Sequence, residues 1–264
     1  MRMHLVWLGT CFFGCLTNLY AQEYKTKLGN ADGHKVTIEM SNGDVRIEGH
    51  NGDDVIIQAS SGIEAPPERA KGLKPLYNSA VDNTDLGLNV TATGGNLTIE
   101  KATRRDIDYI IRLPRKVALL YQQTNWQGGN ITVSNMDGDL EIRTKNGKID
   151  LNRVTGPVVA NTVSGEVNVV YTTLNQEKPT AISTISGEID VTLPPTTKTN
   201  LNIRTINGEV YTDFDLGLKT TKDGMTKVGG GNNIHGTTNG TTNGGGVEMQ
   251  LKTISSNIYI RKQK

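Results

Sequence analysis

The sequence predicts an all-β chain wound as a β-solenoid, with coils of about 18–22 residues and irregular strands at its N-terminal side. Three observations carry this. A phrase of glycine followed by alternating aliphatics returns as Gly129-Asn-Ile-Thr-Val, Gly138-Asp-Leu-Glu-Ile, Gly147-Lys-Ile-Asp-Leu, Gly156-Pro-Val-Val-Ala, Gly165-Glu-Val-Asn-Val and Gly187-Glu-Ile-Asp-Val, its first five glycines nine residues apart. Only 5% of residues are aromatic while 30 are glycine, and the apolar residues are mostly Val, Ile and Leu set among Thr and Asn. That composition favours strands over helices and supplies a thin aliphatic core. Asn42-Gly43 and Asn51-Gly52 separate alternating apolar runs, the pattern of a hairpin turn or a solenoid corner.

The first 21 residues stand apart from the fold. Arg2, the apolar run Leu5 to Leu16 and Ala21 match a secretory signal peptide cleaved before Gln22, and the run is shorter than the roughly 20 residues a spanning helix needs. The competing reading, lipid attachment at Cys15, rests on Phe12-Phe13-Gly14-Cys15, which departs from the usual Leu-Ala-Gly-Cys pattern. The predicted destination is the periplasm, the outer membrane surface or the medium. Cys11 and Cys15 are the only cysteines, so the chain beyond Ala21 can form neither a disulfide nor a Cys-ligated metal site. Without Arg2, Lys+Arg falls to 27 and equals Asp+Glu, and no basic run exists to attract nucleic acid.

Residues 22–264 read as one domain. Strands are predicted at Lys35 to Glu39, Val45 to Glu48, Val55 to Gln58, Leu88 to Val90, Leu97 to Glu100 and Tyr109 to Leu113, with a loop over Ser61 to Ser79 marked by Pro66-Pro67 and Pro75. The regular part runs from 129 to 264. Counted from each glycine, positions +2 and +4 are apolar and share one strand face, and −2 is apolar at Met136, Val154, Val163 and Ile185. Beyond Gly165 the beat gains four residues before Lys178-Pro, then three before Thr199. Both gains follow every second unit, so two units make one coil of about 18 residues and the extra residues collect at one edge. The same edge is expected to carry Thr212 to Gly246, a Gly/Asn/Thr-rich loop, before Val247 resumes a strand. Thr253-Ile-Ser-Ser256-Asn-Ile-Tyr-Ile repeats Thr205-Ile-Asn-Gly208-Glu-Val-Tyr.

These corners, together with Tyr109-Ile-Ile-Arg-Leu-Pro, the Thr-x-Ser/Asn-Gly-Glu-Val/Ile repeats and the closing Leu-Lys-Thr-Ile…Ile-Tyr-Ile-Arg, resemble the bacterial putative-adhesin family. The resemblance covers most of residues 22–264 and implies an exported cell-envelope protein built as a β-solenoid, with no agreed catalytic signature.

Candidate sites follow from the predicted stacking. Position +1 would set Glu166, Glu188 and Glu209 above one another, with Asp190 at +3, so their carboxylates could ligate a divalent cation, Ca²⁺ by its preference for oxygen. The competing reading of that column is a solvated face flanked by lysines. Tyr171, Tyr211 and Trp126 are candidates to stack on sugar rings. His34, His50 and His235 have no metal spacing, and no serine stands in a nucleophile elbow. The expected role is therefore a non-catalytic envelope binding or scaffold protein, its partner a glycan or an envelope protein, with contact at the edge of inserted turns. The alternative is a polysaccharide lyase or hydrolase using the acidic face.

Overall fold

A computed structural model describes residues 22–29, 33–60, 67–73, 80–217 and 237–264; residues 1–21, where the sequence predicts a signal peptide, lie outside them. Twenty strands are described: β1 Glu23–Lys27, β2 Lys35–Met40, β3 Gly43–His50, β4 Asp54–Ala59, β5 Leu88–Thr93, β6 Asn96–Lys101, β7 Tyr109–Pro114, β8 Ala118–Gln123, β9 Gly128–Ser134, β10 Leu140–Arg143, β11 Ile149–Val154, β12 Val158–Asn161, β13 Val167–Tyr171, β14 Thr180–Ser183, β15 Ile189–Leu193, β16 Thr199–Arg204, β17 Val210–Thr212, β18 Thr237–Thr242, β19 Val247–Lys252 and β20 Ile258–Lys262.

They form two ten-stranded sheets. Sheet A runs β1-β4-β7-β3-β9-β11-β13-β15-β20-β17 and sheet B runs β18-β16-β19-β14-β12-β10-β8-β2-β6-β5. A coil is one strand of sheet B, a corner, and one strand of sheet A, and successive coils pair in parallel. The chain is an all-β solenoid. Register confirms the two-unit coil: Leu140 pairs with Val158 and Ile149 with Val167, 18 residues on, and Val167 pairs with Ile189 across the longer turn.

The nine-residue beat is the alternation of corners between the two edges. A Cβ on Gly165 would lie 2.0 Å from the Gly147 carbonyl oxygen, and one on Gly187 would lie 1.9 Å from that of Gly165. On the other edge a Cβ on Gly156 would lie 2.0 Å from the Gly138 oxygen. Each glycine is thus required by the backbone of the coil beneath it. Three residues before the first-edge corners, buried Thr144, Thr162, Thr184, Thr253 and Thr205 form a column. The hydroxyls of Thr253 and Thr205 donate to the carbonyls of Gly187 and Ser256, at 3.2 and 3.0 Å.

Four inward positions per coil make the core. Sheet A contributes the columns Val45-Ile131-Ile149-Val167-Ile189-Ile258 and Ile47-Val133-Leu151-Val169-Val191-Ile260, all buried. Sheet B answers with columns that include Leu119, Leu140 and Val158, and Ile38, Tyr121 and Ile142. Each such side chain contributes roughly 1.5–3 kcal/mol by leaving water.

Within residues 22–128, β2–β3, β6–β7 and β8–β9 are coils of the same stack, and β1, β4 and β5 are irregular antiparallel additions to it. Asn42-Gly43 is a corner between sheets, while the Asn51-Gly52 turn joins β3 to β4, which are separated by β7. At the far end β19–β20 inserts between β14–β15 and β16–β17, so the last coil in sequence is not the last in space. The inward residues explain the order: Ile258 and Ile260 are fully buried and need a neighbour on both sides, whereas β17 offers half-buried Val210 and exposed Thr212. Within the segment expected to be a loop, residues 237–242 instead form β18, antiparallel on β16. β5 on β6 and β4 on β7 cap the other end in the same antiparallel way.

Candidate functional site

The outward face of sheet A carries most of the candidate residues, and the insertion of β20 rearranges them. The column runs Lys148, Glu166, Glu188, Asn257, Glu209, so Glu209 is separated from Glu188 by a whole strand. The carboxylates of Glu166, Glu188 and Asp190 already have partners. Lys148 Nζ lies 3.3 Å from Asp150 Oδ2 and 3.7 Å from Glu166 Oε2. The Tyr259 hydroxyl donates to Glu188 Oε1 at 3.2 Å, and Arg261 Nε donates to both Asp190 oxygens at 3.0 and 2.9 Å. Among the described residues no group of three or more His, Cys, Asp or Glu side chains is placed to hold a metal ion. Of the residues expected to hold Ca²⁺, Glu166, Glu188 and Asp190 have Lys148, Tyr259 and Arg261 against them, while Asn257 stands between Glu188 and Glu209.

The three aromatic candidates are not brought together. Tyr171 is fully buried, its hydroxyl 3.3 Å from Thr180 Oγ1, and burial pushes its phenol well above the usual range. It is a core residue and cannot meet a sugar. Its place at the last position of β13 continues the inward alternation of Val167 and Val169, a signal present in the sequence. Trp126 is exposed at the corner between β8 and β9, on the edge opposite the inserted turns.

Tyr211 is also exposed, and it is not alone. Its ring stacks on Tyr259 with centroids 5.3 Å apart and planes 12° from parallel. The Arg261 guanidinium lies 5.0 Å from the Tyr259 ring centre, and Asn257 Nδ2 donates to the Tyr259 hydroxyl at 3.1 Å. The result is an aromatic plate on a rigid parallel sheet, ringed by an amide, two carboxylates and a guanidinium. β17 is the last described strand of sheet A, so Tyr211 presents one face to no further strand. Tyr259 occupies in its repeat the position Tyr211 occupies in the preceding one. The matching phrases were therefore legible as a pair, but their adjacency was not.

The inserted turns do share one edge and are tied together there. Gln176 Nε2 donates to the Lys198 carbonyl, Gln176 Oε1 accepts from Val247 N, and Asn243 Nδ2 donates to the carbonyls of Pro195 and Thr197. Lys178 pairs with Asp139 at 2.6 Å, which holds the ammonium above its usual range. Beside this edge, on the outer face of sheet B, lies an open cleft of about 400 Å³ lined by Asn200, Asn202, Asn239, Thr241, Glu248 and Leu216. His50 has a local role: Gly52 N donates to Nδ1 and Nε2 donates to the Asp54 carbonyl. His235 lies outside the described residues.

The Toastrack DUF4097 family model matches residues 33–244. Among solved structures, the chain is similar to one from Clostridium sporogenes ATCC 15579 named a putative cell adhesion protein, with 12% identity, TM-score 0.46, and coverage of 92% of this chain and 100% of that one. It is also similar to one from Bacteroides fragilis NCTC 9343 named a putative adhesin, with 11% identity, TM-score 0.42, and coverage of 93% and 98%. A third, from Parabacteroides distasonis ATCC 8503 and named a putative lipid binding protein, has 13% identity, TM-score 0.27, and coverage of 94% and 98%. No curated protein matches the sequence. No described helix is long and apolar enough to cross a membrane.

Proposed function

Since the chain belongs to the Toastrack DUF4097 family, we propose that it is an exported, non-catalytic binding protein of the cell envelope, adhesin-like in role, whose ligand is a glycan. Export is supported by the signal-peptide pattern of residues 1–21. The observation that carries glycan binding is the Tyr211–Tyr259 plate with Asp190, Glu188 and Arg261 around it. A sugar ring presents an apolar face that stacks on an aromatic plate and equatorial hydroxyls that hydrogen-bond to charged groups at its rim. The parallel sheet holds these groups in place before the ligand arrives, which lowers the ordering cost of binding.

A glycan array probed with the purified protein and with Tyr211→Ala tests this. Binding to one class of oligosaccharide, weakened about tenfold or more by the substitution, is the expected result. Equal binding by both proteins, or binding to no glycan, overturns it.

A further inference from the structure

The two edges of the solenoid are unlike. One bears the inserted turns 172–179 and 194–198; at the other the corners from β8–β9 through β16–β17 stay short for six successive coils. On this second edge the side chain two residues before each corner glycine (or Ser256) points outward. In the four coils beyond Lys145 it is aliphatic: Val163, Ile185, Ile254 and Ile206. The three isoleucines are 49%, 40% and 52% exposed, and Trp126, 59% exposed, stands on the same edge three coils from Ile185. These residues come from separate repeats and are aligned by the backbone bonds Ser186 N to Val163 O, Ser255 N to Ile185 O and Asn207 N to Ile254 O. Single exposed apolar residues need no explanation, but a continuous row does.

We propose that this edge is the interface of a side-by-side homodimer whose two-fold axis runs parallel to the stack. Charge selects the partner and its orientation. On the sheet B side the ridge is flanked by Arg143, Lys252 and Arg204, and on the sheet A side by Glu166, Glu188 and Glu209. A two-fold axis along the stack sets Arg204 of one copy opposite Glu209 of the other and faces Lys252 with Asn257, Ser183 with Glu188 and Asn161 with Glu166, so no two carboxylates meet. A two-fold axis across the stack would instead set acid against acid and base against base. The one level with like charges, Arg143 and Lys148, has both cations paired within the chain, to Glu141 and to Asp150 and Glu166. Six coils at roughly 4.8 Å, with sheets roughly 10 Å apart and side chains beyond them, give a face of about 24 by 22 Å. Two such faces bury about 1,000–1,200 Å², the lower bound of a specific interface.

The absence of cysteine beyond residue 21 makes the test direct. In the full chain with Cys11 and Cys15 replaced by serine, Ile185→Cys, Ile254→Cys and Ile206→Cys are each oxidised and compared with Thr98→Cys on the outer face of sheet B. In the proposed dimer every ridge residue faces its own counterpart, so all three ridge variants form disulfide-linked dimers and Thr98→Cys does not. Sedimentation at about 1–100 µM should show a dimer that Ile185→Lys/Ile254→Lys weakens at least about 100-fold without lowering the melting temperature, since both residues are exposed. Arg204→Glu should weaken it, and adding Glu209→Arg should restore it. A monomer throughout this range, or crosslinking at only one ridge position, overturns the proposal.

Discussion

The corner glycines offer a sharp test of the fold, and Gly187→Ala is the informative change. An ideal Cβ there lies 1.9 Å from the Gly165 oxygen and 2.5 Å from its carbonyl carbon, both backbone atoms. A carbon needs about 3.3 Å from such an oxygen, so the two coils must separate locally by about 1.4 Å. Hydrogen bonds that now join them at this corner, Gly165 N to Ser186 O at 3.0 Å and Val167 N to Glu188 O at 2.9 Å, cannot survive that displacement. Two backbone bonds left unmade cost about 1–3 kcal/mol each, which places the substitution at about 3–5 kcal/mol. For a chain of this size that lowers the melting temperature by about 10 °C or more. Gly244→Ala is the control: no atom lies within 4 Å of its Cβ, and only its left-handed φ of +86° is strained, at about 1–2 kcal/mol. Circular-dichroism melts of both variants beside the parent measure the difference. If Gly187→Ala melts within 2–3 °C of the parent, or no lower than Gly244→Ala, the steric account of the repeat is wrong.

Two further outcomes are expected. Lys101 is buried at the corner of the first coil in the stack, where its ammonium donates to the carbonyls of Asn42 and Ile107, and burial lowers its pKa to about 8 from 10.5. Because the folded amine releases its proton first, the unfolded chain binds more protons between those values and stability rises with pH there. The gain is about 2 kcal/mol from pH 7 to 9.5. Above about pH 10 the buried Tyr109, Tyr121 and Tyr171, whose phenols are held above their usual range, act in the opposite sense. Urea titrations across that window should show the slope in the parent and its loss in Lys101→Met; parallel curves for the two proteins would contradict the assignment. Millimolar Ca²⁺ should leave the melting temperature unchanged, and an increase of several degrees that disappears in Glu188→Gln would establish a metal on the acidic face.

What the sequence determined by itself was local. Strand alternation and corner chemistry act over a few residues, so the two-unit coil, the inward +2 and +4 positions and the edge bearing the inserted turns 172–179 and 194–198 could be read from spacing alone. Even there the −2 position divides by edge: Met136 and Val154 are buried, while Ile185 is exposed and Val163 half-buried. The stacking order belonged to the tertiary structure. Every coil carries nearly the same local pattern, so nothing local says that β20 lies between Glu188 and Glu209 or that β2–β3 lies inside β6–β7. That order is set by which coils have inward residues that must be covered on both sides, Ile258 and Ile260 rather than Val210 and Thr212. The same choice brings Tyr259 onto Tyr211 and parts the carboxylates that sequence order had placed together, because stacking neighbours are selected by burial and not by distance along the chain.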